Sequence, residues 1–327
     1  MTIASPPLRP PMVYYGGKTR LAPSIVAALP EHVHYVEPYA GSLAVLLAKQ
    51  PSRLETVNDL DGDIVHFWKM LRDRPHDLAR ACALTPHSRT ERSDALHRRG
   101  PLDDIERARR IWVCLTEGRT GTLRNTGWRH DTADTPTTSM PRRLDAYVAR
   151  IEASAQRLRQ VSLEHRAAVD VIDAYGTGRR TLIYADPPYV GGIRARNYRT
   201  EMASTAKHHE LAEHVRACNA TVVVSGYACD LYDRELYPDW YRTELASHTS
   251  QGGTWKARTE VLWSNSPLRT PPATCNETQP VTAECNETLC AALDCRMVLT
   301  QPVTGRRRRF CSTSCRVRSH RATAAND

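Results

Sequence analysis

No apolar run in this chain approaches the length that crosses a bilayer, so neither a transmembrane helix nor a signal peptide is expected. Cysteine is nearly missing from most of the chain. Of ten cysteines, Cys82, Cys114, Cys218 and Cys229 are scattered and the other six follow residue 274. That distribution excludes a disulfide framework and points to a local metal site in a reducing cytosol. The leading glycine and spacing of a Walker loop are also absent, although Gly16-Gly17-Lys18 pairs two glycines with a cation. Phenylalanine occurs only twice, against thirteen tyrosines.

What remains is the composition of a globular protein, 41% hydrophobic and 25% charged. A length of 327 residues suits one large α/β domain or two modest ones. The net charge is +9, carried mostly by arginine, which suggests a polyanionic partner.

The chain is organised around Asp186-Pro187-Pro188-Tyr189. The preceding Thr181–Ala185 is a short apolar run rich in strand formers, so it reads as a buried strand. Two prolines stiffen the turn and remove two N–H donors. The Asp186 carboxylate and the Pro187 carbonyl are then acceptors with a tyrosine ring beside them. Two acceptors and a ring suit an exocyclic amino group on a planar base. Open α/β sheets place ligands at such strand ends.

Further strands are expected at 34–37, 54–59, 221–225, near 240–246 and at 258–264, with helices at 21–29, 43–49, 64–71, 207–219 and 229–236. The small-residue turn Pro38-Tyr39-Ala40-Gly41-Ser42 joins a strand to a helix, an arrangement that presents N–H groups to a nucleotide. Asp59 ends the next strand, where an acid accepts hydrogen bonds from ribose hydroxyls. The fold class expected is therefore a doubly wound, Rossmann-like α/β sheet formed by residues 13–72 and 161–266, after a loose proline-rich arm at 1–12.

Residues 73–160 interrupt that pattern, with helices expected near 76–83, 104–115 and 142–159. Between the last two, residues 116–130 carry Arg119, Arg124, Asn125, Trp128 and Arg129, types suited to phosphates and bases. Residues 190–206 read as a flexible basic loop and 267–289 as a proline-containing linker. In 290–320, Cys290, Cys295, Cys311 and Cys315 flank the Arg306–Arg309 run, a donor set for a small structural Zn²⁺ module. Cys275 and Cys285 are competing ligands, and 321–327 form a tail.

Taken together, these motifs resemble the Dam-type DNA adenine-N6 methyltransferases from about residue 11 to 266. The resemblance rests on Tyr14-Tyr15-Gly16-Gly17-Lys18, Glu37-Pro38-Tyr39-Ala40-Gly41-Ser42, Asn58-Asp59, Asp186–Tyr189 and Glu260–Asn265, in the family's order. It implies S-adenosylmethionine as cofactor, with Tyr14, Gly16, Gly17, Lys18, Glu37, Tyr39, Gly41, Asp59 and Asp186 around it. It implies Asp186, Pro187, Pro188 and Tyr189 as the catalytic set, acting on adenine flipped out of double-stranded DNA, with residues 73–160 recognising the target. A cytoplasmic monomer in a bacterial or phage-infected cell is expected, within a restriction–modification pair or alone. The family usually has a second glycine where this chain has Leu43, whose side chain is expected to crowd the methionine part of the cofactor. Cytosine-N4 transfer, whose motif usually begins with Ser, RNA or protein-amide methylation, and a catalytically inactive DNA-binding module are the alternatives.

Overall fold

The computed structural model describes residues 7–97, 101–132, 138–189, 204–251, 254–269, 287–289 and 298–300. Two compact units meet in sequence at Thr270–Pro271. In the second, Glu287–Leu289 and Val298–Thr300 pair as a short antiparallel ribbon. Cys290, Cys295, Cys311 and Cys315 lie outside the described residues, as does most of 190–206.

The first unit is built on a seven-stranded sheet. Its strands are β1 (His34–Glu37), β2 (Leu54–Asn58), β3 (Ser162–Glu164), β4 (Thr181–Ala185), β5 (Thr221–Tyr227), β6 (Tyr241–Gln251) and β7 (Thr254–Ser264). Their spatial order is β3-β2-β1-β4-β5-β7-β6. The first five run parallel, while β7 lies antiparallel to both β5 and β6. From β1 the chain winds outward through β2 and β3, then returns to β4 and winds the other way. Strand order thus reverses between β1 and β4, where open α/β sheets leave a crevice beyond the carboxyl ends of the strands. Glu37 ends β1 and Asp186 follows β4, so both acids stand at that crevice. β4 is buried along its whole length, as its unbroken apolar run anticipated.

The helices around this sheet are α1 (Ala22–Ala28), α2 (Ala44–Ala48), α3 (Gly62–Asp73), α4 (Pro75–Ala83), α5 (Arg89–Leu96), α6 (Asp104–Glu117), α7 (Met140–Val148), α8 (Ile151–Leu158), α9 (Ala168–Tyr175) and α10 (Thr205–Ala217). A π-helical turn covers Leu231–Leu236. The Asp61 carboxylate caps α3, and Asp103 caps α6. Where one helix was expected over 142–159 the chain forms α7 and α8. Arg150 stands at the break and donates to the Pro10 carbonyl.

Helices α4–α8 add Leu78, Ile111, Trp112, Leu144 and Leu158 to a core shared with Phe67 and Trp68 of α3 and Val57 of β2. A buried ion cluster reinforces the join: Glu55 of β2 accepts from Lys49 at 2.6 Å and from both terminal nitrogens of Arg157 on α8. Residues 10–12, expected in a loose arm, are instead buried, and the Pro11 carbonyl accepts from Trp112 Nε1.

Leu43 departs from expectation in an informative way. Among the described residues it is the one non-glycine with positive φ, at 53°. That backbone turn sends its side chain into the core, where it is fully buried, and it does not line the neighbouring cavity. The expected crowding of the cofactor is therefore not what the fold produces. A left-handed conformation costs an L-residue about 1–2 kcal/mol, whereas deleting a buried leucine side chain costs about 2–5 kcal/mol. Burial outweighs strain, so Leu43→Gly is expected to lower stability by roughly 1–3 kcal/mol. A higher denaturation midpoint for that variant would reverse the ranking.

Candidate active site and cofactor cavity

Two loops meet over the crevice. The first, Tyr14–Lys18, precedes α1; the second, Pro38–Ser42, joins β1 to α2. They interlock because glycines bring them close. A Cβ on Gly41, whose φ is +45°, would stand 2.8 Å from the Tyr14 ring. A Cβ on Gly17 would stand 2.9 Å from Ser42 Oγ. The second loop is also clamped from β2 and α3. Gly41 N–H donates to Asp59 Oδ2 at 2.9 Å, the Gly41 carbonyl accepts from Trp68 Nε1, and Asn58 donates to the Pro38 carbonyl.

These loops wall a cavity of about 430 Å³, within the usual range for small-ligand sites. Tyr14, Gly16, Gly17, Lys18, Glu37, Tyr39, Gly41, Asp59 and Asp186 all line it, so every cofactor residue expected from the sequence converges there. Sequence reasoning missed Leu60, Ala167–Val169 at the start of α9, and Lys207, Glu210 and Leu211 of α10. Leu60 follows Asp59 and is 50% exposed.

Burial sets the charge of three acids. It pushes Glu37 up to about 8, against the lowering effect of a hydrogen bond from Tyr35. It raises Asp59 to about 6, although the Asp61 and Gly41 N–H groups donate to its two oxygens. It also raises Asp186 to about 6, with Lys18 pulling down and Glu260 pushing up. Lys18 itself is raised, because Asp186 and Glu260 outweigh the burial that disfavours its charge.

The Asp186–Tyr189 turn is tied inward by a ring of contacts. Lys18 Nζ lies 2.6 Å from both Asp186 carboxylate oxygens and donates to the Tyr189 hydroxyl. That hydroxyl donates to Glu260 Oε1 at 2.6 Å, and Ser225 Oγ donates to the same oxygen at 2.8 Å. The Tyr189 ring packs edge-on against Tyr227. Pro187 is buried, and Pro188 lines the cavity. Ser225 and Glu260 were not singled out from sequence. A glutamate inside the apolar β7 strand was the available signal, since an acid is buried only with partners.

Four of the five residues expected to meet DNA lie in one hairpin, closed by a bridge between Gly118 and Trp128, and Arg129 follows it directly. Arg119 and Asn125 stand at its surface and Arg124 is half-buried. Arg129 folds back to donate to the Arg119 carbonyl. Trp128 is sandwiched between His87 and His130, at ring separations of 4.5 and 5.0 Å, with the Arg89 guanidinium 4.9 Å from its ring centroid. Its indole N–H donates to Glu117, whose carboxyl is raised to about 7 by burial. Among the described residues no cluster of histidine, cysteine and acid side chains could hold a metal. Nor, among them, is any helix long and apolar enough to span a membrane.

A cavity at the strand-order reversal, lined by Asp59 and by the carboxylate–diproline turn, is where open α/β folds bind nucleotide-type ligands. Comparison with known proteins makes the class specific. Residues 14–252, well over half of the chain, match the D12 class N6 adenine-specific DNA methyltransferases. The chain belongs to that family, and is an S-adenosylmethionine-dependent methyltransferase that modifies adenine N6 in DNA.

Solved structures give weaker likenesses. The C-terminal domain of precorrin-6Y C5,15-methyltransferase from Rhodobacter capsulatus is 12% identical, covering 82% of this chain and 100% of that one, with a TM-score of 0.31. Precorrin-6y C5,15-methyltransferase from Geobacter metallireducens is 8% identical over 75% and 85%, at a TM-score of 0.30. Precorrin 8W decarboxylase from Methanobacterium thermoautotrophicum is 8% identical over 76% and 88%, at 0.32. No curated protein matches the sequence.

Proposed function

We propose that Asp186 and the Pro187 carbonyl receive the two N–H groups of an adenine flipped out of double-stranded DNA, next to S-adenosylmethionine held in the cavity between β1 and β4. The observation that carries this reading is the place of Asp186. It follows the central strand at the strand-order reversal and lines the cavity beside Pro188. The cofactor supplies a methyl group activated by a sulfonium. The residues that fit it are Asp59 for ribose hydroxyls, Leu60 and Ala168 for an apolar ring, and Glu37 for a cationic amino group. Gly41 and Gly17 let the two loops that wall the cavity pack directly against each other.

The adenine N6 lone pair is delocalised into the ring and attacks poorly. Hydrogen bonds to Asp186 and the Pro187 carbonyl localise it. They also stabilise the positive charge that develops on nitrogen as the N–C bond forms and the S–C bond breaks. Asp186, raised to about 6, can then hold the proton that nitrogen sheds before water takes it. Alignment of the three reacting atoms supplies much of the remaining rate. Tyr189 is assigned to stack on the flipped base, its hydroxyl end fixed by Glu260 and Lys18. DNA from a methylation-free bacterial host expressing the chain is expected to carry N6-methyladenine at one defined motif. N4-methylcytosine in its place would transfer the assignment to the other exocyclic amine.

The hairpin of residues 118–128 and its neighbour Arg129 are assigned to the target. Arg119, Arg124 and Asn125 are the proposed contacts to DNA, while the His87–Trp128–His130 stack holds the hairpin in shape. Arg124→Ala is expected to weaken DNA binding about tenfold at moderate salt and to reduce the salt slope by about one. An unchanged slope and sequence preference would remove Arg124 from the interface. In the second unit the proposed role of Cys290, Cys295, Cys311 and Cys315 is a tetrahedral Zn²⁺ site. Protein purified without chelator is then expected to contain about one zinc per chain by elemental analysis.

A further inference from the structure

Asp186 does not meet its substrate as an isolated carboxylate. Both its oxygens already lie 2.6 Å from the Lys18 ammonium. An Asp–Lys pair on its own is neutral and offers little to a nitrogen that is becoming positive. Glu260 alters that balance. It is 2% exposed, sits on β7, and reaches Lys18 Nζ at 3.6 Å directly and through the Tyr189 hydroxyl. One cation therefore stands between two carboxylates.

Resting on the assignment of Asp186 as the amine acceptor, we propose that Glu260 is a positioning residue that keeps the methyl-transfer site net negative. Its buried carboxylate offsets Lys18, so that Asp186 faces the reacting amine as an uncompensated anion. Glu260 touches neither base nor cofactor in this scheme. It acts through Lys18 and by holding the Tyr189 hydroxyl, while Ser225 bridges the acids by donating to Glu260 at 2.8 Å and to Asp186 Oδ1 at 3.4 Å.

Among the described residues, Glu37, Tyr184, Tyr189 and Tyr232 are also in electrostatic reach of Asp186, and Tyr227 packs on Tyr189 and acts on Lys18. Burial holds Glu37 protonated at neutral pH and drives Tyr184, Tyr189 and Tyr232 well above their ordinary value. Lys18 and Glu260 are therefore the charges that tune Asp186 between pH 5 and 7. Glu260 pushes the Asp186 carboxyl upward. Removing that charge moves ionisation of Asp186 to lower pH even as it weakens the site.

This combination separates an electrostatic role from a purely structural one. Glu260→Gln keeps an oxygen to accept from Tyr189 and Ser225 but removes the charge. Methyl incorporation into unmethylated bacterial DNA is measured from pH 5 to 8 at saturating cofactor. The variant is expected to lose about 10- to 100-fold in kcat with little change in KM for DNA. Its acid limb is expected to move down by about one pH unit. Glu260→Asp, which keeps the charge, is expected to leave the limb in place. An unmoved limb in Glu260→Gln, or an undiminished kcat, overturns the proposal. If that variant melts below the assay temperature, Lys18→Met is compared with the double variant Lys18→Met/Glu260→Gln. Both lack the cation, and the limb of the double variant is expected about one pH unit below that of Lys18→Met; coincident limbs overturn the proposal. Failure here is distinguishable from failure of the underlying assignment: an active Asp186→Ala enzyme removes the acceptor role itself, whereas an inactive one beside an unmoved Glu260→Gln limb removes only the role of Glu260.

Discussion

Asp186→Ala is expected to lose about a thousandfold or more of N6-methyladenine formation while binding DNA within about twofold of the unaltered enzyme. The asymmetry follows from where the side chain sits. Asp186 lines the cavity and is not one of the residues of the 118–128 hairpin assigned to the target. Its loss removes the acceptor proposed to localise the amine lone pair. The fold is expected to survive, because Lys18 would not be left without a counter-ion. Glu260 stands 3.6 Å from the same ammonium and Tyr189 already accepts from it. Asp186→Asn is expected to fall between, since its amide oxygen still accepts one hydrogen bond without the charge. Methyl incorporation and DNA binding measured on the same preparations decide the matter. Substantial turnover by the alanine variant would remove the mechanism.

Much of this site was legible because its parts are local. Thr181–Ala185 announces a buried strand by composition, and the prolines after it announce a stiff turn. Tyr39–Ser42 and Asp59 stand at strand ends, so period-two reading places them at one edge of the sheet before any fold is known. The ring of Lys18, Asp186, Tyr189, Ser225 and Glu260 was not legible, because its members are far apart in sequence: Lys18 and Tyr189 are separated by 171 positions, and Lys18 and Glu260 by more. No periodicity reports such a contact. Helix α9 and strand β3 were missed for a different reason: at eight and three residues they are too short to show a period. Leu43 shows the limit most plainly. Its identity suggested a side chain in the cofactor's way, but the sign of φ, which sequence did not reveal, turns that side chain into the core.

The same contrast between local identity and environment governs Glu37. In isolation it would be an ionised carboxylate at neutral pH. Here burial pushes it to about 8, so it holds a proton at pH 7. S-adenosylmethionine brings a cationic amino group and a sulfonium, and a cation beside Glu37 favours its ionised form. Binding at pH 7 is therefore expected to release close to one proton. The sign follows: the free enzyme carries the proton below about 8 and the complex does not. Cofactor affinity should then rise with pH up to about 8 and level off above it. Calorimetry at pH 7 in buffers of different ionisation enthalpy reads this release as a buffer-dependent heat. Glu37→Gln cannot release the proton and lacks the charge-assisted bond, which contributes about 1.5–3 kcal/mol, so its affinity is expected to fall by about ten- to a hundredfold. Heats that are the same in every buffer for the unaltered enzyme would mean that the amino group does not lie against Glu37. The ammonium would then be held elsewhere on the cavity wall, and the acid at the end of β1 would keep its proton throughout the reaction.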